Sequence, residues 1–364
     1  MRLNEIARES KSTFKGDKTD LPIVGLEHLI PGELTLTEYD VNTKNTFTKF
    51  FRKGQVLFGR RRAYLKKASL AEFDGVCSGD IIVIEPIEGK VYPDLLPFII
   101  QNDRFFAYAV SKSAGGLSPR VKWQDIADYE FYLPPLSEQK VLADKLWAAY
   151  RLKESYKKLL LTTRDMVKSQ FIEMFKDKGY PLEMIKSFAD VSTGSTPSKA
   201  HPEYWNGDKP WVSAEDMKSK YVYDTCEKVT NAGYATCKII PVDTLMYVCR
   251  GSIGVMAINK IECATNQSIC RATCHDNVCN VEFLYHALMY QRDNIKKMGM
   301  GTSFKSLNQT TFSELEIELP PYEEQMKFVA IAEQADKSEF DSLRSECELE
   351  LLIKAINSVI KSLI

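Results

Sequence analysis

The sequence contains no long hydrophobic run. Its longest apolar stretches, such as Ile81-Ile82-Val83-Ile84, are far too short to cross a bilayer. The opening MRLNEIARES has no apolar core of the signal-peptide kind. A cytoplasmic location with no membrane partner is therefore expected. A charge excess is also missing, since the net charge over 364 residues is -1. That excludes a uniformly basic surface and leaves any nucleic-acid contact to local patches. Cysteine is not scarce, but its nine copies are odd in number and eight follow residue 225. This is not the framework of a disulfide-stapled secreted domain, so reduced thiols are expected. Also absent are a Gly-x-x-x-x-Gly-Lys-Ser/Thr phosphate loop, a Gly-x-Gly-x-x-Gly fingerprint and an Asn/Asp-Pro-Pro-aromatic motif.

What is present is a long repeat with a period of about 186 residues. Tyr132-Leu133-Pro134-Pro135-Leu136-Ser137-Glu138-Gln139-Lys140 matches Glu318-Leu319-Pro320-Pro321-Tyr322-Glu323-Glu324-Gln325-Met326-Lys327. Each copy follows an alternating strand and precedes a helical segment. Weaker echoes keep the same order: Ser113–Ser118 with Gly299–Phe304, and Leu57-Phe58 and Arg62 with Leu245-Met246 and Arg250. The chain reads as domain, helix, domain, helix, over residues 1–135, 136–180, 181–321 and 322–364.

Each Leu-Pro-Pro stops a strand, because proline fixes φ and cannot donate to a ladder. Ser137 is the expected N-cap of the first helix, and Gly179 lies just past its end. The first helix has Leu142, Leu146, Ala149, Leu152, Tyr156, Leu159, Thr163, Met166 and Gln170 at three-four spacing. The second has Phe328, Ile331, Ala335, Ser338, Ser342, Ser345, Leu349, Leu352, Ile356, Val359 and Leu363. Such spacing predicts a coiled-coil seam. Residues 136–178 carry ten Lys/Arg against six Asp/Glu, and residues 322–364 carry five against nine. Opposite charge favours the two helices pairing with each other. Antiparallel helices of about 1.5 Å rise per residue would form a rigid spacer of roughly 65 Å.

Both globular parts read as mixed α and β. Strands are expected at Gly54–Arg60, Asp80–Pro86, Thr244–Cys249 and Cys263–Ala272, and helices at Pro93–Lys112 and Val281–Lys297. Residues 52–67 hold Arg52, Lys53, Arg60, Arg61, Arg62, Lys66 and Lys67 and no acid. With Lys112 and Arg120 beside a Gly-Gly loop, they are candidates for DNA phosphates or base edges, although a basic run is more often only a solvated face. The second domain offers Ser195, Thr196 and Lys199 in a hydroxyl-rich loop, Arg250 before a Gly-Ser turn, and Asn266 and Gln267 for adenine edges. Lys297, Thr302, Ser303 and Lys305 complete the set. Two other constellations compete. Asp80, Glu88 and Lys90 have the residue types of a Mg²⁺ nuclease, but Glu88-Gly89-Lys90 reads as a turn. Cys270, Cys274, His275 and Cys279 could hold zinc, but reduced cysteines filling a β core are the simpler account.

In combination these motifs resemble the DNA specificity subunit of type I restriction–modification systems. The resemblance is carried by the paired Leu-Pro-Pro-x-x-Glu-Gln steps, by Ser195-Thr196-Pro197-Ser198-Lys199 through Glu203-Tyr204-Trp205-Asn206-Gly207-Asp208 and Pro210–Met217, and by Gly301–Asn308. It implies an α+β fold: two similar α/β target recognition domains, separated by two long antiparallel coiled-coil helices, in a pseudo-twofold repeat. It further implies that each domain reads one half of a split, asymmetric site in double-stranded DNA. The helices would set the spacing and dock two methyltransferase subunits, which motor-nuclease restriction subunits then join. The subunit would have no catalytic residues and no cofactor of its own, and S-adenosylmethionine, ATP and Mg²⁺ would belong to those partners. The first domain departs from the pattern in lacking the Trp-rich opening of the second. A coiled-coil scaffold that joins proteins without reading DNA is the competing expectation, supported by the near-zero net charge.

Overall fold

The computed structural model describes residues 1–300 and 307–358, apart from the side chains of 296–300, 356 and 357. Packing divides the chain into two compact units. One is Met1–Lys157 with the segment from Leu343 onward, and the other is Lys158–Ser342. Both divisions fall inside the long helices, so each helix serves both units. The boundaries read from the sequence mark where secondary structure changes instead.

The first unit is built on a four-stranded antiparallel sheet with spatial order Ala7–Glu9, Ile81–Pro86, Val56–Gly59, Ala68–Leu70. The apolar run at 81–84 arises because this central strand is buried on both faces. Ile82 and Ile84 pack with the helical side. Ile81 and Val83 face a second cluster with Phe51 and Cys77 from a three-stranded sheet. The second unit repeats the device on a five-stranded sheet. Leu245 and Tyr247 join one core and Met246 and Val248 the other.

Two expected elements are broken. Cys263–Ala272 is not one strand: Cys263–Thr265 and Ile269–Cys274 belong to different sheets. The turn between them is closed by Asn266 Oδ1 accepting the Ser268 N–H at 2.9 Å. Pro93–Lys112 is a 3-10 turn and two helices, Leu96–Ile100 and Asp103–Ser111. The second of these restarts because Asn102 caps it, its Oδ1 accepting from Arg104 N–H.

The long helices are Leu136–Phe175 and Tyr322–Asn357. The first begins one residue before Ser137, which lies in its first turn rather than at the cap. It ends in a turn with Asp177 and Gly179 at positive φ. The helices run antiparallel. Lys153 pairs with Glu350 at 2.7 Å, and Arg164 Nε reaches Glu339 at 3.1 Å, eleven residues forward on one helix and eleven back on the other. Phe328, Ala335 and Ser342 form the buried seven-residue stripe of the second helix, as the heptad requires, but Ser338 and Leu352 are exposed. In the first helix Leu146 and Ala149 are buried as the heptad requires, but the seam is displaced beyond them. Leu152, Leu159 and Met166 are exposed, while Tyr150, Leu160, Val167 and Phe171 are buried. Phe171 shows why, for its ring packs on Phe283, Tyr290 and Phe328. The helix buries a face against its globular unit as well as against its partner helix. Ile356, Val359 and Leu363 fall outside the described side chains.

Each helix is fastened to its unit at two equivalent places, 186 residues apart. The first is the glutamine of the Leu-Pro-Pro step. Gln139 donates to Pro134 O and accepts from Tyr92 N–H, at 2.8 and 2.9 Å. Gln325 donates to Pro320 O and Val278 O and accepts from Asn280 N–H, each at 2.9 Å. The second place is Tyr150 and Asp336. The Tyr150 hydroxyl accepts from Leu34 N–H at 3.1 Å, and Lys157 one helical stretch on pairs with Glu33. Asp336 instead takes Lys220 at 2.6 Å and the Tyr221 hydroxyl at 2.7 Å. Lys220 also reaches Glu282 at 2.7 Å and His286 Nε2 at 3.2 Å. Burial, with the Lys220 charge beside it, pushes His286 down to about 3, so its neutral ring accepts from the ammonium. Burial and the acceptor Asp336 raise the Tyr221 phenol far above its ordinary value.

Candidate nucleic-acid interface

In the first unit the fold joins basic residues that are far apart in sequence. The segment 60–62 lies against 118–121: Arg62 N–H donates to Pro119 O at 2.8 Å, and Val121 N–H donates to Arg60 O at 3.0 Å. The centre of this arrangement is Asp80. Its carboxylate accepts Arg120 Nε at 2.8 Å and Arg120 NH2 at 3.3 Å, with Arg61 NH1 at 3.7 Å. Arg61 also donates to Ser118 Oγ at 3.1 Å. Arg62 is exposed with φ 54°, a left-handed conformation that turns the chain sharply there. Lys66 pairs with Asp103 at 2.6 Å, and Lys112 lies over the Tyr108 ring at 5.3 Å. Asp80 is also the residue that the competing Mg²⁺ constellation would have used, and the structure bears out the reading of that constellation as a turn. It and Glu88 stand beyond opposite ends of the strand Ile81–Pro86, roughly 20 Å apart at about 3.3 Å per residue. They cannot share one Mg²⁺, and Glu88-Gly89-Lys90 is a turn with Gly89 at φ 72°.

Hydrogen bonding from Arg120, helped by the nearby charges of Arg61 and Arg60, holds the Asp80 carboxyl below its ordinary value. A carboxylate with a lowered folded pKa stabilises the fold above its unfolded pKa and loses that contribution as pH falls through the folded one. Acidification from about pH 5 to about pH 3 should therefore weaken this junction. Thermal unfolding of wild type and Asp80→Asn across that range checks it: the wild type's advantage shrinks with acid. An advantage independent of pH would contradict the linkage.

In the second unit the hydroxyl-rich loop is seated by Gly194. A Cβ there would lie 2.1 Å from Thr265 O, so only glycine lets the loop close onto the 265–267 turn. Ser195 N–H donates to Thr265 O at 2.9 Å, and Trp211 Nε1 donates to Ser195 O at 3.1 Å. Trp205 packs edge-on against Trp211 at 5.2 Å and lies under Lys199 at 5.9 Å, which gives the Trp-rich opening its physical role as a floor. The Thr196 hydroxyl bonds Gln267. Cys249 N–H donates to Ser268 O at 2.8 Å, which brings exposed Arg250 beside the same turn. The structure thus gathers Ser195, Thr196, Lys199, Arg250, Asn266 and Gln267. Asn266 Oδ1 is occupied within the turn, leaving Gln267 as the exposed amide. Sequence reading missed Arg271, which is 1% exposed. It donates to Ser192 Oγ, Thr193 O and Lys238 O at 2.9, 2.8 and 2.6 Å, fixing the root of the loop. An arginine inside a strand gives no local sign of this role. Lys297 lies on the helix Val281–Met300 with its side chain outside the described set, and Thr302, Ser303 and Lys305 lie outside the described residues.

The cysteine cluster divides. Cys270 Sγ lies 2.7 Å from Cys249 Sγ inside the core, Cys279 is paired with Cys274, and His275 faces Asp190 at 3.3 Å. Among the described residues no group of three or more His, Cys, Asp or Glu could hold a metal ion, and no helix is long and apolar enough to cross a membrane.

The type I restriction modification DNA specificity domain matches this sequence twice, over residues 3–161 and 182–350. The chain belongs to that family. The two matched segments are the two halves of the repeat. The specificity subunit of the type I restriction enzyme MjaIX from Methanocaldococcus jannaschii is 31% identical over 180 residues, covering 46% of this chain and 41% of that protein. The HindI specificity subunit from Haemophilus influenzae is 27% identical over 194 residues, covering 50% and 42%. The matches thus span about two fifths of the length of these relatives. The crystal structure of a type I restriction–modification S subunit from M. genitalium shares the fold, with a TM-score of 0.68 at 13% identity over 98% of this chain and 94% of that one. A chain from a type I system structure follows at a TM-score of 0.56 and 18% identity, covering 98% and 96%. The shared fold puts α/β units and paired antiparallel helices in one chain.

Proposed function

We propose that this chain is the sequence-reading subunit of a type I restriction–modification complex. Each unit reads one half of a split site in double-stranded DNA, and because the units differ in sequence the site is not palindromic. The observation that carries this reading is the double match to one DNA specificity domain, on units that gather basic side chains in the first and hydroxyl, amide and basic side chains in the second. The first reads through Arg60, Arg61, Arg62, Lys66, Lys112 and Arg120. The second reads through Ser195, Thr196, Lys199, Arg250, Asn266 and Gln267, together with Lys297, Thr302, Ser303 and Lys305. The long helices set the distance between half-sites. They also dock two methyltransferase subunits, to which restriction subunits add. Exposed Leu152, Leu159, Leu161 and Met166 on the first helix, and Phe340, Leu343, Leu351 and Leu352 on the second, supply apolar area for that docking. Linking two weak readers on one spacer raises affinity through effective concentration. Methyl transfer and cleavage belong to the partners, in the bacterial or archaeal cytoplasm.

The test is a map of methylated bases in cells with and without the gene. One split motif should lose methylation when the gene is removed. If no motif changes, the assignment fails. A protein-joining scaffold would show no salt-dependent affinity for DNA, whereas a reader that neutralises several phosphates loses affinity steeply with salt.

A further inference from the structure

A nearly fully exposed leucine sits among the arginines of the first unit. Leu117 is 97% exposed, the highest value of any large apolar side chain among the described residues. It stands at the tip of the loop 114–120, whose base is rigid. Ala114 and Arg120 exchange backbone hydrogen bonds at 2.9 Å each way. Pro119 fixes φ, and its carbonyl accepts from Arg62 N–H. Ser118 is held by Arg61, and Arg120 by Asp80. Before the tip the loop is thin. Gly115 has φ 116°, and a Cβ on Gly116 would meet nothing within 4 Å. Among the described residues no side chain shields the leucine.

An isolated apolar group on a stiff, narrow support, with cations at its base, matches one chemistry well. DNA is anionic at its rim and apolar only inside the base stack. Proteins that distort DNA insert leucine or similar side chains between base steps while cations hold the flanking phosphates. An apolar protein pocket would not call for a ring of arginines. We propose that Leu117 is an intercalating wedge that opens a base step within or beside the half-site read by the first unit, with Arg61, Arg62 and Arg120 on the adjacent phosphates. This rests on the DNA-reading function proposed above. A wedge selects sequence indirectly, because flexible pyrimidine–purine steps unstack more easily than others. It also holds the loop in register along the duplex.

The side chain is exposed, so replacing it leaves the fold intact, and this makes a clean experiment. The full-length chain, alone and with the methyltransferase subunits that copurify with it, is titrated onto a duplex carrying the mapped site. 2-Aminopurine is placed at successive positions of the first half-site. Wild type should raise the fluorescence at one step as that base unstacks. Leu117→Ser should abolish the rise and weaken binding about tenfold, the scale expected from losing one buried leucine, with unchanged thermal unfolding. Leu117→Lys should weaken it too. Tighter binding by Leu117→Lys would show that the tip rests on phosphates and would overturn the wedge. So would wild-type fluorescence and affinity in Leu117→Ser, or loss of a copurifying protein with DNA binding intact. If the wild type itself bound no mapped site, the DNA-reading function would fail first, a result distinct from indifference of the leucine.

Discussion

Replacing Lys220 by methionine should destabilise the second unit by about 3 kcal/mol, one of the two largest effects expected in this chain. The figure is the low end of the cost of removing one partner from a buried ion pair, about 3–5 kcal/mol. Lys220 is the cation shared by Glu282 and Asp336, whose side chains are 5% and 24% exposed. Without it two carboxylates are left close together, and the cation remaining near Glu282 among the described residues is Lys260, 3.8 Å away. The low end applies because Asp336 is partly solvated and retains the Tyr221 hydroxyl. At about 2–4 °C per kcal/mol, the unfolding midpoint should fall by roughly 6–12 °C. Adding Glu282→Gln to Lys220→Met should recover part of the loss, since the cost lies in the uncompensated charge. A single variant as stable as wild type would show that the network contributes nothing net.

The second large effect is on the DNA site. Inserting one heptad into each long helix, between the Lys153–Glu350 and Arg164–Glu339 pairs, preserves the seam phase and both fastenings. On the proposed reading it lengthens the spacer by about 10 Å, at roughly 1.5 Å per residue. The unread gap should then grow by one to about three base pairs, the ceiling set by the roughly 3.4 Å rise of DNA. DNA twist and bending absorb the remainder. Methylation mapping in cells carrying the variant gives the answer directly. The two half-sites should keep their bases. Altered bases with an unchanged gap would show that the helices do not set the spacing.

Much of the architecture was already written in the linear order of residues. The repeat, the two proline stops and the charge difference between helices are each local or periodic signals, and each survives in the fold. Periodicity, however, specifies spacing better than phase. Leu159, Leu160 and Leu161 are all leucine, so any of three stripes fits the sequence equally well. Packing chose Leu160, because Val167 and Phe171 on the same face meet the globular unit. The single strand expected at 263–272 failed for a related reason. An apolar run does not reveal that an Asn-centred turn sends its two ends into different sheets.

The candidate site was legible as residue types and not as an arrangement. The arginines at 60–62 and 120, and the loops around 195 and 267, were visible as candidates from their chemistry. Their meeting was not, because contacts such as Arg120 with Asp80, or Ser195 with Thr265, join residues forty and seventy positions apart. The same holds for Gln139 and Gln325. The sequence showed that both follow Leu-Pro-Pro, and only burial showed that each amide binds the helix start to its own unit. The sequence by itself determined two copies of one unit, each leading into a long helix. The tertiary structure decided which face of each helix is buried, which charges neutralise one another, and that Leu117 is left in water among arginines. Those outcomes depend on long-range packing, which brings together groups that no local pattern relates.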